Sequence, residues 1–204
     1  MHLLLISPHA RVAASAEIDH SASIGQGTRV WSRAHIRDHA RVGAECVIGE
    51  AVYVGEGVTI GDRCKVQNAA LLYEPASIDD GVFIGPAVVL TNDRFPRAVT
   101  PEGSLKSSSD WEPVGVSIRE GASIGARAVC VAPVTVGRWA IVAAGAVVTR
   151  DVPDFALVAG TPARQIGWVG RAGVRLIERD GSWGCPHTGE RYRLADGVLV
   201  EVER

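Results

Sequence analysis

Chemistry in this 204-residue chain has to come from a short set of polar side chains. His35 is the first, because imidazole titrates near neutral pH and can accept or return a proton. The remaining histidines, His2, His9, His20, His39 and His187, stand in no pattern that suggests use. Asn68 and Asn92 form a second group: each lies two residues past an aliphatic, and they are twenty-four residues apart. Such positions are also filled for structural reasons alone, since asparagine tolerates left-handed backbone at corners. A third group, Asn92, Asp93, Arg94 and Arg97, opens a stretch over 91–113 rich in Ser, Pro and charge. So long an excursion between regular segments reads as a binding loop rather than a disordered one.

These residues are placed by a repeat. Stepping six residues from Ile18 gives Ile24, Val30, Ile36, Val42, Ile48, Val54, Ile60, Val66, Leu72, Ile78, Ile84 and Leu90 without a miss. A fixed period of this kind marks a solenoid. The residue two before each aliphatic is small or β-branched, so the pair shares the inner face of a short strand. The residue after is often glycine, as at Gly25, Gly43, Gly49, Gly55, Gly61 and Gly85, which places a sharp corner there. Three hexads then close a triangular coil of eighteen residues, and stacked coils pair their strands in parallel. A helix is excluded, because six matches neither 3.6 nor 3.5.

The residues between inward positions describe the outside. They sort into a polar column (Ser23, Arg41, Thr59, Ser77), a mixed one (Arg29, Val47, Lys65, Phe83) and a mostly apolar one (His35, Tyr53, Leu71, Val89). Two faces are therefore expected to be covered, which a cyclic homotrimer would do. On this grid Asn68 and Asn92 are corner residues, one coil plus one face apart.

Residues 1–17 read as a ragged first coil closing one end. After Leu90 the grid resumes, offset by four, as Ile118, Ile124, Cys130, Val136, Val142 and Val148. The prolines after Val148 end it, and Asp196-Gly197 between strand-like runs reads as a hairpin. The expected organisation is an all-β parallel helix over 1–167, with the loop 91–113 inserted, and a small hairpin tail over 168–204.

The formal net charge of −2, from 21 Lys and Arg against 23 Asp and Glu, gives no electrostatic case for nucleic acid or a membrane. The run Leu3-Leu4-Leu5-Ile6 is too short for a signal segment, so a cytoplasmic protein is expected. Cys46, Cys64 and Cys130 fall at core positions and read as small apolar residues rather than a disulfide framework.

The repeat resembles that of the hexapeptide-repeat acyltransferases, whose fold is a left-handed parallel β-helix; the hand comes from the resemblance alone. Narrower motifs are Trp31, His35, Gly49, Lys65-Val66-Gln67-Asn68, Gly85-Pro86, Thr91-Asn92-Asp93-Arg94, Pro96-Arg97, Gly145-Ala146-Val147-Val148-Thr149 and Ala156 to Ala163. Together they are similar to the sugar-nucleotide N-acetyltransferases, nearest to the subgroup acting on UDP-2-acetamido-3-amino-2,3-dideoxyglucuronate for polysaccharide assembly. The resemblance covers about residues 8–170. It implies a homotrimer that uses acetyl-CoA and no metal, with the pantetheine along Ala143, Ala144, Gly145 and Ala146 and Arg164 near a CoA phosphate. It further implies that Asn68 holds the sugar, that Asn92, Asp93, Arg94 and Arg97 surround the charged sugar nucleotide, and that His35 is either the general base or an interfacial hydrogen-bonding group.

Two departures stand out. Where the subgroup has Gly-Gln-Asn this chain has Gly49-Glu50-Ala51, and where it has Gln-Asn-Asn it has Gln67-Asn68-Ala69. Glu50 adds a carboxylate beside the expected sugar site, which would repel a uronate and points to another amino sugar, dTDP-linked or 4-amino, or another binding mode. An inactive scaffold on the same fold is the competing reading. The tail departs as well: relatives carry a zinc ribbon, but Cys185 and His187 are too few for tetrahedral zinc, so a metal-free remnant is expected. The same shortage of histidines argues against a carbonic anhydrase on this fold.

Overall fold

In a computed structural model the chain is described over residues 5–195 and 197–202, so Leu3, Leu4 and Asp196 lie outside the description. The hexads form two- and three-residue strands whose grid matches the expected one, beginning at Arg11–Val12. Each strand pairs in parallel with its counterpart in the next coil, eighteen residues on within the unbroken repeat, as in Lys65 with Val47 and Phe83, and forty residues on across the inserted loop, as in Ser77 with Ser117. The result is a three-sided β-helix. Face I carries six strands with Ser23, Arg41, Thr59 and Ser77 outward; face II carries nine, on the Arg29 column; face III carries seven, on the His35 column.

One aliphatic column fills the interior, with Ile36, Ile48, Val54, Val66, Leu72, Ile84, Leu90, Ile118 and Ile124 all fully buried. Each such side chain contributes roughly 1.5–3 kcal/mol of transfer free energy, which holds strands too short to be stable alone. The first coil is looser, with Val12 36% exposed.

The corner glycines do a different job from the one their spacing suggests. Gly25, Gly43, Gly49, Gly61 and Gly85 have no positive φ; instead, a Cβ on Gly43 would lie 2.6 Å from the carbonyl carbon of Gly61, and one on Gly85 2.6 Å from the nitrogen of Ala126. They are required by the close approach of one coil to the next. The left-handed turn falls two residues later, mostly on side-chain-bearing residues such as Arg33 (φ 58°), Ala51 (55°) and Ala69 (59°).

Inside, Thr28, Cys46 and Cys64 form a vertical ladder. Thr28 Oγ1 donates to the Gly43 carbonyl at 2.7 Å and accepts the Cys46 N–H at 2.9 Å. Cys46 Sγ then donates to the Gly61 carbonyl at 3.1 Å and accepts the Cys64 N–H at 3.4 Å, and Cys64 Sγ donates to the Asp79 carbonyl at 3.1 Å. The neighbouring thiol and burial hold the Cys64 thiol well above the usual range, and burial pushes Cys130 up to about 12.

The inserted loop leaves face III after Leu90 and rejoins face I at Val116. Its neck is closed by the Val114 N–H donating to the Asn92 carbonyl at 2.9 Å, and its tip is a turn bridged between Val99 and Leu105. At the far end of the helix an antiparallel pair, Ala156–Gly160 with Ala163–Trp168, extends face II. A four-stranded antiparallel sheet follows, over Ile177–Arg179, Ser182–Gly184, Arg191–Ala195 and Val198–Glu201. Its inner side packs on the helix end, where Phe155, Trp168, Leu176, Tyr192 and Leu199 continue the core. Tyr192 is fully buried, its ring 5.3 Å from that of Phe155, with its hydroxyl donating to Glu190 and accepting the Arg171 N–H.

Candidate active site

The three edges between faces differ in how their corner N–H groups are satisfied. On the edge between faces I and II, the carboxylate of one coil caps the coil below: Asp62 Oδ1 accepts the Ala44 N–H at 2.7 Å, Asp80 Oδ1 the Asp62 N–H at 2.8 Å, and Asp154 Oδ1 the Arg138 N–H at 2.7 Å. The edge between faces II and III has one such rung, Asn68 Oδ1 accepting the Glu50 N–H at 3.0 Å. Above it the corresponding positions hold Pro86, Ala126 and Ala144, which have no side-chain acceptor. Among the described residues, the N–H groups of Asn68, Ala126 and Ala144 have no protein acceptor. Unpaired donors of this kind are available to a ligand, although Pro86 has no N–H and interrupts them. The N–H groups of Asp80 and Glu120 on the edge between faces I and II, and of Asp38, Glu56 and Glu74 on the edge between faces III and I, are likewise without a protein acceptor among the described residues.

The same edge carries a pocket of about 280 Å³ lined by Trp31, Val47, Gly49, Glu50, Gln67 and Asn68. Trp31 is 54% exposed and forms an aromatic wall. The Asn68 amide oxygen is committed to Glu50, so its amide nitrogen is the group left for a ligand. Glu50 is not a free anion: Arg33, on the coil below, approaches its carboxylate at 2.5 Å. Hence the pocket carries a neutralised ion pair where the sequence alone led to an expectation of bare negative charge. Trp31, Gly49 and Gln67 recur at eighteen-residue spacing, and that spacing was the available signal for Trp31 and Gln67 as pocket residues.

Ala143, Ala144, Gly145 and Ala146 lie on this edge too, four coils above Glu50 and three above Asn68, close to the end of the helix. At about 4.8 Å per coil, Ala144 stands roughly 14 Å above Asn68. Gly145 has φ 70° and open space around it, while Ala146 is buried in the core and presents only backbone. Arg164 extends from the terminal hairpin, exposed, with a guanidinium nitrogen on its neighbour's carbonyl.

The structure does not bring the other expected residues here. His35 faces out from face III with Nδ1 3.9 Å from Glu17 and Nε2 3.6 Å from Asp19, its ring set edge-on to Tyr53. It does not line the pocket. Asn92 stands on the edge between faces III and I, a different edge from Asn68, because twenty-four residues is one coil plus one face. Within the loop, Asp93 and Arg97 line a separate groove of about 420 Å³ with Lys106 and Trp111, and Arg94 stacks over Phe95 at 5.4 Å. Asp93 Oδ1 accepts the Phe95 N–H at 2.7 Å.

Among the described residues no group of three or more His, Cys, Asp or Glu is placed to hold a metal ion, and no helix is long and apolar enough to cross a membrane.

Residues 39–73 and 115–150 match the hexapeptide repeat of succinyl-transferase. Over 85 residues, 42% of this chain and 44% of the relative, the sequence is 45% identical to a dTDP-3-amino-3,6-dideoxy-alpha-D-galactopyranose 3-N-acetyltransferase of Aneurinibacillus thermoaerophilus. Over 51 residues, 25% of this chain and 21% of the relative, it is 59% identical to 2,3,4,5-tetrahydropyridine-2,6-dicarboxylate N-acetyltransferases of Staphylococcus aureus. The chain thus spans less than half the length of these curated relatives. A hexapeptide-repeat acetyltransferase of Vibrio cholerae, solved with acetyl coenzyme A, superposes with a TM-score of 0.52 at 25% identity, covering 65% of this chain and 72% of that one. In repeat, in fold and in local sequence the chain is similar to the hexapeptide-repeat acyltransferases, N-acetyltransferases among them.

Proposed function

We propose that the protein transfers an acetyl group from acetyl-CoA to the amino group of a nucleotide-linked amino sugar, in the assembly of a surface polysaccharide. One observation carries this: the polar pocket and the small-residue run lie on the same edge, joined by corner N–H groups without acceptors. The pantetheine would run along Ala143, Ala144 and Gly145, its amides meeting the open donors, with Arg164 toward the phosphates. The sugar would sit against Trp31, with the Asn68 amide nitrogen directed to it. The amine attacks the thioester carbon, a C–N bond forms and the C–S bond breaks. A corner N–H stabilises the oxyanion, and the thiolate leaves and takes the amine's proton. This route needs no histidine in the pocket. A homotrimer in the cytoplasm fits the reading, with the loop residues Asn92, Asp93, Arg94 and Arg97 of one subunit reaching the open edge of the next.

The Arg33–Glu50 pair favours a sugar without a carboxylate, of the kind named for the Aneurinibacillus relative. A UDP-3-amino-uronate is the second reading, in which Arg33 would leave Glu50 to become its counter-ion. Thiol release from acetyl-CoA across a panel of dTDP- and UDP-amino sugars tests both. Release with a neutral dTDP-amino sugar that falls about 10-fold in Asn68→Ala and is unchanged in His35→Ala is the expected result. Release only with the uronate would select the second reading, and silence with every sugar would overturn the proposal.

A further inference from the structure

The outer side of the C-terminal sheet has a feature that acetyl transfer does not use. Strand alternation in Ile177-Glu178-Arg179 and Arg191-Tyr192-Arg193 sends the arginines to one side and Glu178 and Tyr192 to the other. The register places Ser182 and Gly184 of the middle strand between them: Arg179 pairs with Ser182, which pairs with Arg193, and Ile177 pairs with Gly184, which pairs with Arg191. Two strand spacings, roughly 9–10 Å, therefore separate walls that carry arginine, over a floor with almost no side chains. This trough has a volume of about 450 Å³ and is finished by Pro186, while Trp183, opposite Glu178 and Tyr192 in the register, turns its ring to the inner side. None of Arg179, Arg191 and Arg193 forms an ion pair among the described residues. Of the module's acids, Glu201 is forked by Arg171 and Glu190 accepts the Tyr192 hydroxyl, while Glu178 and Asp180 form no ion pair among the described residues.

We propose that this trough binds a nucleoside diphosphate, with Arg179 and Arg191 closing on the phosphates from opposite walls and the planar base lying against Ile177 and Pro186. Guanidinium forks match phosphate oxygens in pairs, and the concave, part-apolar shape suits a small molecule rather than a flat anionic surface. The proposal stands independently of the acetyl-transfer reading.

The test is calorimetric titration of the full chain with ADP, UDP and dTDP, with inorganic pyrophosphate as competitor. The double variant Arg179→Ala/Arg191→Ala should weaken one class of sites by about 10- to 100-fold, as expected for loss of charge-assisted hydrogen bonds. Gly184→Leu should do the same while keeping both arginines, because an added Cβ there meets open space and fills the trough. Both variants should retain acetyl transfer, and Asn68→Ala should retain this binding. A difference between ADP and the pyrimidine nucleotides would tell a CoA-derived from a sugar-nucleotide source. Nucleotide binding that neither variant changes would overturn the proposal. So would pyrophosphate binding with no gain from the nucleoside, or capture by phosphatidylglycerol vesicles without binding of free nucleotide.

Discussion

Two edges of the same helix, built from the same backbone, serve opposite ends. On the edge between faces I and II, Asp62, Asp80 and Asp154 each close a corner N–H of the coil beneath. On the edge between faces II and III, Pro86 and Ala144 leave the N–H groups of Asn68 and Ala126 open above the single rung made by Asn68, and Pro86 itself has none. The repeat fixes where the donors point; the middle corner residue of the next coil decides whether protein or ligand receives them. A corner is closed where that residue is aspartate, as over Ala44, Asp62 and Arg138, and stays open where it is alanine or proline.

Closing the open edge should break that contrast with the largest effect. Ala144→Asp places a carboxylate over the Ala126 N–H and a negative charge on the expected CoA path. A loss of about 100-fold in acetyl-transfer rate is expected, with thermal stability unchanged or raised, checked by thiol release and calorimetry.

Backbone stacking, by contrast, should not distinguish the edges. A Cβ on Gly43 would meet the Gly61 carbonyl at 2.6 Å, and one on Gly125 would meet the Ala144 nitrogen at 2.4 Å. Gly43→Ala and Gly125→Ala should each cost about 2–3 kcal/mol in denaturant unfolding. Only the second should also change acetyl-CoA affinity.

Asn68 belongs to both worlds, and two substitutions separate its roles. Asn68→Ala loses the rung to Glu50 and the free amide nitrogen, about 1 kcal/mol of stability and about 10-fold in rate. Asn68→Asp keeps an acceptor for the Glu50 N–H, so stability should return while the rate does not. The smallest effect belongs to the sealed edge: Asp62→Ala should lower stability by about 1 kcal/mol, a shift of a few degrees in Tm, with the rate unchanged.

The architecture was legible because burial imposes it: an inward aliphatic every six residues leaves little choice of strand, face or coil. The corners were harder to read. Glycine after each aliphatic suggested a conformational need, whereas the need at Gly43 and Gly85 is room for the neighbouring coil, and the left-handed turn falls on residues such as Arg33 and Ala51. The eighteen-residue period could have placed Arg33 under Glu50, and without that partner Glu50 read as a lone charge. Asn68 and Asn92 are corners one coil and one face apart, as their twenty-four-residue spacing gave. Tyr192 was the least visible, since its burial depends on a sheet docking against the helix end from far along the chain.

The ladder of Thr28, Cys46 and Cys64 makes the middle coils report on their own opening. Both thiols are buried and tied to carbonyls of the coil above, so an alkylating reagent can reach them only after neighbouring coils part. Their labelling rate would then be a clock for local breathing at the centre of the solenoid, read without any added probe. Because each coil contacts only its neighbours, that clock should run independently of events at the C-terminal sheet.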